Sequence, residues 1–338
     1  MITLEGVSKA FTSHGQTVRA VDDVSFAVEE GALCVLIGPS GSGKTTTMRL
    51  INRLETPTAG RIVVNGRDIR SLDAVELRRG IGYVIQQSGL FPHFTVADNV
   101  AVVPRLLGWP REKRRRRADE LLSLVGLPPD LFADRYPRQL SGGQQQRVGV
   151  ARALAADPPI ILMDEPFGAV DPITRKQLQR ELRRIQAAVH KTIVFVTHDI
   201  SEAFLLGDRI VLMADGHIVQ NSTPADLLRR PANAFVTAFI GEDRGLRALQ
   251  FTTLAELAAT LTGDVPADGL ILPGTLPILD AARRLGTGCA RGDGFWIGDD
   301  TGRPTGYLSY LRLVQLLGET IAAGATDDGE GVVDALPH

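Results

Sequence analysis

The chain has 338 residues, 44% of them apolar, with a formal net charge of −2. That length suits one large domain or two ordinary ones, and the charge balance argues against a nucleic-acid binder, which usually carries a basic excess. Aromatic residues make up 5%, too few for a single-strand stacking platform. The two cysteines, Cys34 and Cys289, form no CxxC and no His/Cys cluster, which disfavours a disulfide framework or a zinc site and fits a reducing cytosol. The opening MITLEGVSKAF lacks the apolar core of a secretion signal, and no apolar run nears the roughly 18 to 20 residues that cross a bilayer. Any work at a membrane is therefore expected to go through a partner.

In chain order, ITLEGVSKAF and VRAVDDVSFAVEEG read as antiparallel strands with polar turns between them. ALCVLIG is a near-continuous apolar run, the pattern of a strand buried on both faces. It ends in Gly38 and opens into a helix through Met48, Ile51 and Leu54. RIVVNG adds a strand and turn, and the stretch from Asp73 to Asp157 reads as helix-rich. The basic run Arg111–Arg117 precedes Leu121, Leu122 and Val125 and reads as a solvated helix face, because the overall charge is balanced. Strands return at IILMDEP, TIVFVTHD and DRIVLMADGHIVQ, the last with an Asp215-Gly216 hairpin signal. Strands alternating with helices predict an α/β sheet, complete near Ile240. Beyond it, LILPGTLPILDAARRLG reads as strand then helix, and GFWIGDDTGRPTGYLSYLRLVQLLG as hairpin then helix. The tail 319–338 is acidic and poor in large apolar residues, so disorder is expected there.

The chemistry sits in short motifs. Gly38, Pro39, Ser40, Gly41, Ser42, Gly43, Lys44 and Thr45, followed by Thr46, fit G-x-x-x-x-G-K-[ST] between a strand and a helix. Glycines there let backbone N–H groups wrap phosphates. Lys44 is expected to reach the β/γ-phosphates, and Thr45 to ligate Mg2+. In IILMDE, Asp164 is the candidate for the Mg2+ shell and Glu165 for orienting or deprotonating the attacking water. Ser141, Gly142, Gly143 and Gln144 open a further helix with apolar positions at Val148, Ala151 and Leu154. Ser141 is either a plain N-cap or a hydroxyl facing a phosphate.

In order along the chain, GPSGSGKT, LSGGQ, MDEP and VTHD resemble the ATPase subunits of ABC transporters, over residues 1–240. The resemblance implies a P-loop ABC ATPase fold of mixed sheet and helical subdomain, with ATP and Mg2+ as cofactors. It also implies a head-to-tail homodimer in which each LSGGQ segment completes the other copy's ATP site. Phe11 matches the aromatic residue that stacks on adenine. Gln86, with Gln87 adjacent, matches the glutamine that senses Mg2+ and the membrane partner. Asp171 matches the D-loop aspartate, with Val170 where many relatives have Leu, and His198 matches the switch histidine that contacts the γ-phosphate. Lys44, Glu165 and His198 carry the catalytic expectation; Thr45, Gln86 and Asp164 carry that for the metal.

The segment between Gln86 and Leu140 is too short for the coiled-coil insertion of repair-type relatives, and one cassette argues against the translation type. GLFPHFTVADNVAVVPRLLGW is similar to the region that receives a helix of the permease, with Phe91, Pro92 and His93 as the candidate groove. The wider motifs are similar to importers of osmoprotectant quaternary amines such as glycine betaine, choline and carnitine; the alternative is an importer of another small polar solute, such as a polar amino acid or polyamine. Implied partners are integral membrane permease subunits and, indirectly, a solute-binding protein, with no nucleic acid. The implied place is the cytoplasmic face of the inner membrane. Residues 245–318 resemble a small α/β CBS-like unit with one clear motif, in which Arg312 stands where nucleotide-binding motifs tend to have Asp.

Overall fold

The computed structural model describes all residues except 14–15, 87–88, 169, 242–243, 259–269, 286–293, 300 and 327–338. Cys289 lies outside the described residues, as does Gln87. The chain forms two compact units, Met1–Thr223 and Pro224–His338.

In the first unit, β1 (Ile2–Ser13) and β2 (Gln16–Val28) pair antiparallel as expected. They belong to a four-stranded sheet ordered β2-β1-β4-β5, with β4 at Ala59–Val64 and β5 at Arg67–Asp68. The second sheet has six strands, ordered β10-β9-β3-β8-β7-β6. Its members are β3 (Leu33–Ile37), β6 (Ile81–Val84), β7 (Ile160–Asp164), β8 (Thr192–Val196), β9 (Arg209–Ala214) and β10 (His217–Ser222). All five residues of β3, β7 and β8 are buried, which is why their sequences run apolar rather than alternating. The β9–β10 turn has Asp215 at φ 49° and Gly216 at φ 82°, the left-handed pair that a two-residue hairpin requires.

Strand β6 lies inside the stretch expected to be helix-rich. IGYV is too short to show a period, and it becomes a strand by pairing parallel to β7. Between the sheets runs the helix Lys44–Ile51, whose Met48, Leu50 and Ile51 are fully buried against residues of both. Each such side chain contributes about 1.5–3 kcal/mol by its burial.

Helices Val96–Val100, Val102–Leu106, Arg111–Leu124, Pro129–Phe132 and Gly142–Leu154 come next along the chain. The basic run is a solvated face. Ala118, Leu121 and Leu122 are buried, while Arg115 pairs with Asp119 (3.3 Å) and Asp134 (2.8 Å), and Arg117 with Glu120 (3.5 Å).

The second unit takes in helices Pro224–Arg229 and Ala234–Ile240, although a boundary at Ile240 assigns them to the ATPase. The first of these packs on the Arg244–Ala248 helix. A three-stranded sheet holds β11 (Ile271–Pro273) parallel to β12 (Gly294–Gly298), and β12 antiparallel to β13 (Pro304–Ser309). With helices Ile278–Arg284 and Tyr310–Thr326 the order is β-α-β-β-α. Leu272, Ile278, Phe295, Ile297, Leu308 and Leu313 form its core. The last helix runs past 319 to Thr326, so residues 319–326 are helical where disorder was expected. The reason is local: IAAGA is alanine-rich and keeps helix propensity although it is poor in large apolar residues. The rest of that tail, 327–338, lies outside the described residues. Among the described residues, no helix is long and apolar enough to cross a membrane.

Candidate functional site

Strands β6, β7, β8 and β3 are mutually parallel, so their C-terminal ends emerge at one edge of the sheet. Four motifs distant in sequence therefore meet: the glycine loop after β3, Gln86 after β6, Asp164 and Glu165 at the end of β7, and His198 after β8. This is the edge at which open α/β sheets bind ligands.

The loop after β3 is shaped by three glycines with positive φ, Gly38 (144°), Gly41 (82°) and Gly43 (98°). A Cβ on Gly38 would lie 2.0 Å from the Met213 carbonyl oxygen, and one on Gly43 2.4 Å from that of Ala20. Both positions thus need glycine for space as well as for backbone freedom. Gly43 caps the helix with no side chain, so the first-turn N–H groups of Lys44–Ile51 carry no side-chain cap. Uncapped N–H groups at the positive end of a helix make an anion cradle.

Lys44 is 6% exposed, and its ammonium donates to the carbonyls of Gly38 (2.8 Å) and Pro39 (2.7 Å) and to Ser42 Oγ (3.2 Å). Burial pushes its pKa below the ordinary lysine range, opposed by the carboxylates of Glu165 and Asp164. Thr45 Oγ1 donates to Asp164 Oδ1 at 3.0 Å. Asp164 is 8% exposed. Burial pushes its carboxyl up, the Thr45 bond pulls it down, and the charge of Glu165 raises it further. A cation in front of Asp164 would relieve that burial. Thr45, Asp164 and Gln86 offer a hydroxyl, a carboxylate and an amide oxygen, which suit a hard cation such as Mg2+.

Glu165 sits at φ 43°, a left-handed backbone rare for a residue with a side chain. Its N–H donates to the Val196 carbonyl, which locks the turn to β8. Its carboxylate accepts from Gln86 Nε2 (3.0 Å) and lies 3.3 Å from His198 Nδ1. The structure thus gathers Lys44, Thr45, Gln86, Asp164, Glu165 and His198. An anionic group in the cradle would face a buried cation, and a water beside it would face a carboxylate held by two partners.

The other expected residues lie apart from this cluster. Ser141 is the N-cap of Gly142–Leu154. Its Oγ accepts from Gln144 N (3.3 Å) while Gln144 Oε1 accepts from Ser141 N (3.0 Å), a reciprocal capping box. The cap uses a lone pair and leaves the hydroxyl proton for another acceptor. A Cβ on Gly143 would lie 2.8 Å from Thr174 Cγ2. Asp171 caps Pro172–Val189 through bonds from Ile173 N (3.2 Å) and Thr174 N (3.0 Å). The Thr174 side chain and then these amides hold its carboxyl below the usual range. Phe11, on β1, is 40% exposed, with Lys9 Nζ 4.7 Å from its ring centroid.

Phe91, His93 and Phe94 form an aromatic group with centroids 4.7–6.1 Å apart. Sequence reasoning missed its anchor, Asn99. This fully buried amide accepts from Phe91 N (2.7 Å) and donates to the carbonyls of Phe91, Phe94 and Thr95. The available signal was a lone amide inside the apolar VADNVAVV. Arg152 was missed too; it donates to the Gly89 carbonyl (2.7 Å) and ties the loop after Gln86 to the Gly142–Leu154 helix.

A cradle, a buried lysine and strand-end acids define a nucleotide-binding ATPase, and comparison with known proteins agrees. The ABC transporter family model matches residues 21–168. The chain is 52% identical over 258 residues to the osmoprotectant import ATP-binding protein OsmV of Salmonella typhimurium, covering 76% of this chain and 68% of that one. It is 47% identical over 316 residues to the glycine betaine uptake system ATP-binding protein YehX of Escherichia coli, covering 93% of this chain and 99% of that one. A dimeric post-hydrolysis structure of the ATP-binding cassette MJ0796, bound to ADP and Pi, superposes with a TM-score of 0.60 at 39% identity, covering 66% of this chain and 99% of that one. The chain belongs to the ATP-binding proteins of ABC transporters.

Proposed function

We propose that this chain is the ATP-hydrolysing subunit of an importer for osmoprotectant quaternary amines such as glycine betaine, choline and carnitine, working from the cytoplasmic face of the membrane through permease subunits. The observation that carries the hydrolytic part is the meeting of Gln86, Glu165 and His198 beside the Lys44 loop. The solute class rests on the relatives named as osmoprotectant and glycine betaine proteins.

Lys44 and the loop amides hold the β/γ-phosphates of ATP, and Phe11 offers its exposed ring to the adenine. Thr45, Gln86 and Asp164 would hold Mg2+, which when bound offsets phosphate charge. Glu165 takes up the proton of the attacking water, and His198 bonds the γ-phosphate. Two copies close head to tail, so that the Ser141–Gln144 segment of one turns its free hydroxyl proton and glycine amides to the γ-phosphate of the other. Phe91, Pro92 and His93 receive a permease helix near Gln86. Residues 1–240 serve as the ATPase and 245–318 as a CBS-like regulatory unit, a reading supported by the β-α-β-β-α order.

The test is ATPase activity and solute uptake in proteoliposomes with the co-purified membrane subunits and a panel of quaternary amines. Betaine or choline uptake that disappears in Glu165→Gln, with ATP binding retained, is the expected result. Intact ATPase with no uptake from the panel would move the substrate to another small polar solute, such as a polar amino acid or polyamine. Turnover at the wild-type rate in Glu165→Gln would remove Glu165 from its role.

A further inference from the structure

ATP hydrolysis by the residues gathered at the sheet edge makes no use of Glu202, the most deeply buried acid near the site. It lies in helix Ile200–Leu206 and is 4% exposed. Its Oε2 accepts from Thr197 Oγ1 at 2.6 Å and its Oε1 from Gln179 Nε2 at 3.0 Å. Both donors are neutral and buried, and among the described residues no lysine or arginine lies at ion-pair distance from Glu202. Burial pushes the Glu202 carboxyl above the usual range, opposed first by the bonds from Thr197 and Gln179 and last by the charge of Arg175, and an apolar side chain would fill the space at lower cost. What an apolar side chain lacks is a rigid fork of two acceptors.

The fork grips two elements. Thr197 ends in the turn that carries His198, and its Oγ1 donates to Glu202 while accepting from Asp199 N at 3.0 Å. One hydroxyl therefore brackets His198 from both sides in sequence. Gln179 belongs to the helix that begins at Asp171. One turn earlier on that helix, Arg175 donates to the Val170 carbonyl (3.1 Å) and lies 3.8 Å from Asp199. The same helix thus holds the Val170–Asp171 loop through Arg175 and the His198 turn through Gln179 and Glu202.

We propose that Glu202 is a positioning residue for His198: by accepting from Thr197 and Gln179 together, it sets the turn that places the imidazole beside Glu165 and fastens that turn to the helix of the Asp171 loop. This rests on the reading of His198 as a contact of the γ-phosphate. A glutamine cannot replace the fork, because an amide has one acceptor and one donor end, so one of the two bonds is lost or reversed.

The test is steady-state ATPase of the full chain in its assembled transporter, for Thr197→Val, Thr197→Ser, Glu202→Gln and His198→Ala, with the first and third also combined with His198→Ala. In Thr197→Val and Glu202→Gln, kcat should fall about tenfold, the scale of one lost hydrogen bond in a rate, with KM for ATP nearly unchanged. Thr197→Ser, which keeps the hydroxyl, should restore the rate. In the His198→Ala background neither change should lower kcat further. Unchanged kcat in both single variants, or losses that add fully to that of His198→Ala, would overturn the proposal. Should Glu202→Gln fail to fold, the Thr197 valine and serine pair decides alone. His198→Ala at the wild-type rate would sink the parent reading and this one together, whereas an intact His198 effect with a silent Thr197→Val would sink only this one.

Discussion

Two glycine-serine turns in this chain open helices, and they end differently. At the first, the residue before the helix is Gly43, which has no side chain, and the N–H groups of Lys44–Ile51 are left without a side-chain cap. At the second, the residue is Ser141, whose hydroxyl takes the amide of Gln144 while Gln144 returns a bond to the backbone. The first turn leaves those amides open beside a buried lysine and the strand-end acids of the same chain. The second is a capped helix start whose hydroxyl keeps its proton for another acceptor. The same residue types thus serve two purposes, and the cap residue decides which.

The largest effect is expected at Lys44. Lys44→Ala removes the buried cation from the first turn and should weaken ATP binding by about 10- to 100-fold, the worth of a charged hydrogen bond, with the fold retained; titration with a fluorescent ATP analogue reads it. Equal affinity would mean that the first turn is no more a phosphate site than the second. Next in size is Gly43→Ala. A Cβ there would lie 2.4 Å from the Ala20 carbonyl at a φ of 98°, so about 1–3 kcal/mol of stability should be lost, seen as a lower midpoint in denaturant.

Two Ser141 variants sharpen the contrast. Ser141→Ala should cost about 1 kcal/mol through the lost cap, together with ATPase activity. Ser141→Asp keeps a capping oxygen, so its stability should hold, yet its negative charge would repel a phosphate and activity should still fall. Activity that tracks stability across both variants would reduce the second turn to a helix cap. The smallest effect concerns the strand that leads into the first turn. Cys34 is fully buried, and burial pushes its thiol up to about 12. In a Cys289→Ser chain at pH 8, a thiol reagent should label nothing until denaturant is added.

Much of this was legible in the sequence because its signals are local. Apolar runs without alternation gave β3, β7 and β8, and Asp215-Gly216 gave the last hairpin of the first unit. The motifs named the six residues that meet at the sheet edge. Strand β6 was not legible, since IGYV becomes a strand only through β7. Nor were Asn99 and Glu202 legible as anchors. The lone amide in VADNVAVV marks Asn99 as unusual without naming its partners, and Glu202 looks like any surface acid until Gln179, 23 residues away, is brought to it.

The division has a physical basis. Residue types in short order fix what a segment can do locally: how a glycine turns, whether a helix start is capped, which groups carry charge. The sequence by itself therefore determined the glycine loop, the strand-end acids and the family. Tertiary structure decided what depends on parallel pairing, which stacks the ends of β3, β6, β7 and β8 on one edge. That pairing put Gln86 and His198 on opposite oxygens of Glu165, a contact set by strand order that no local pattern encodes.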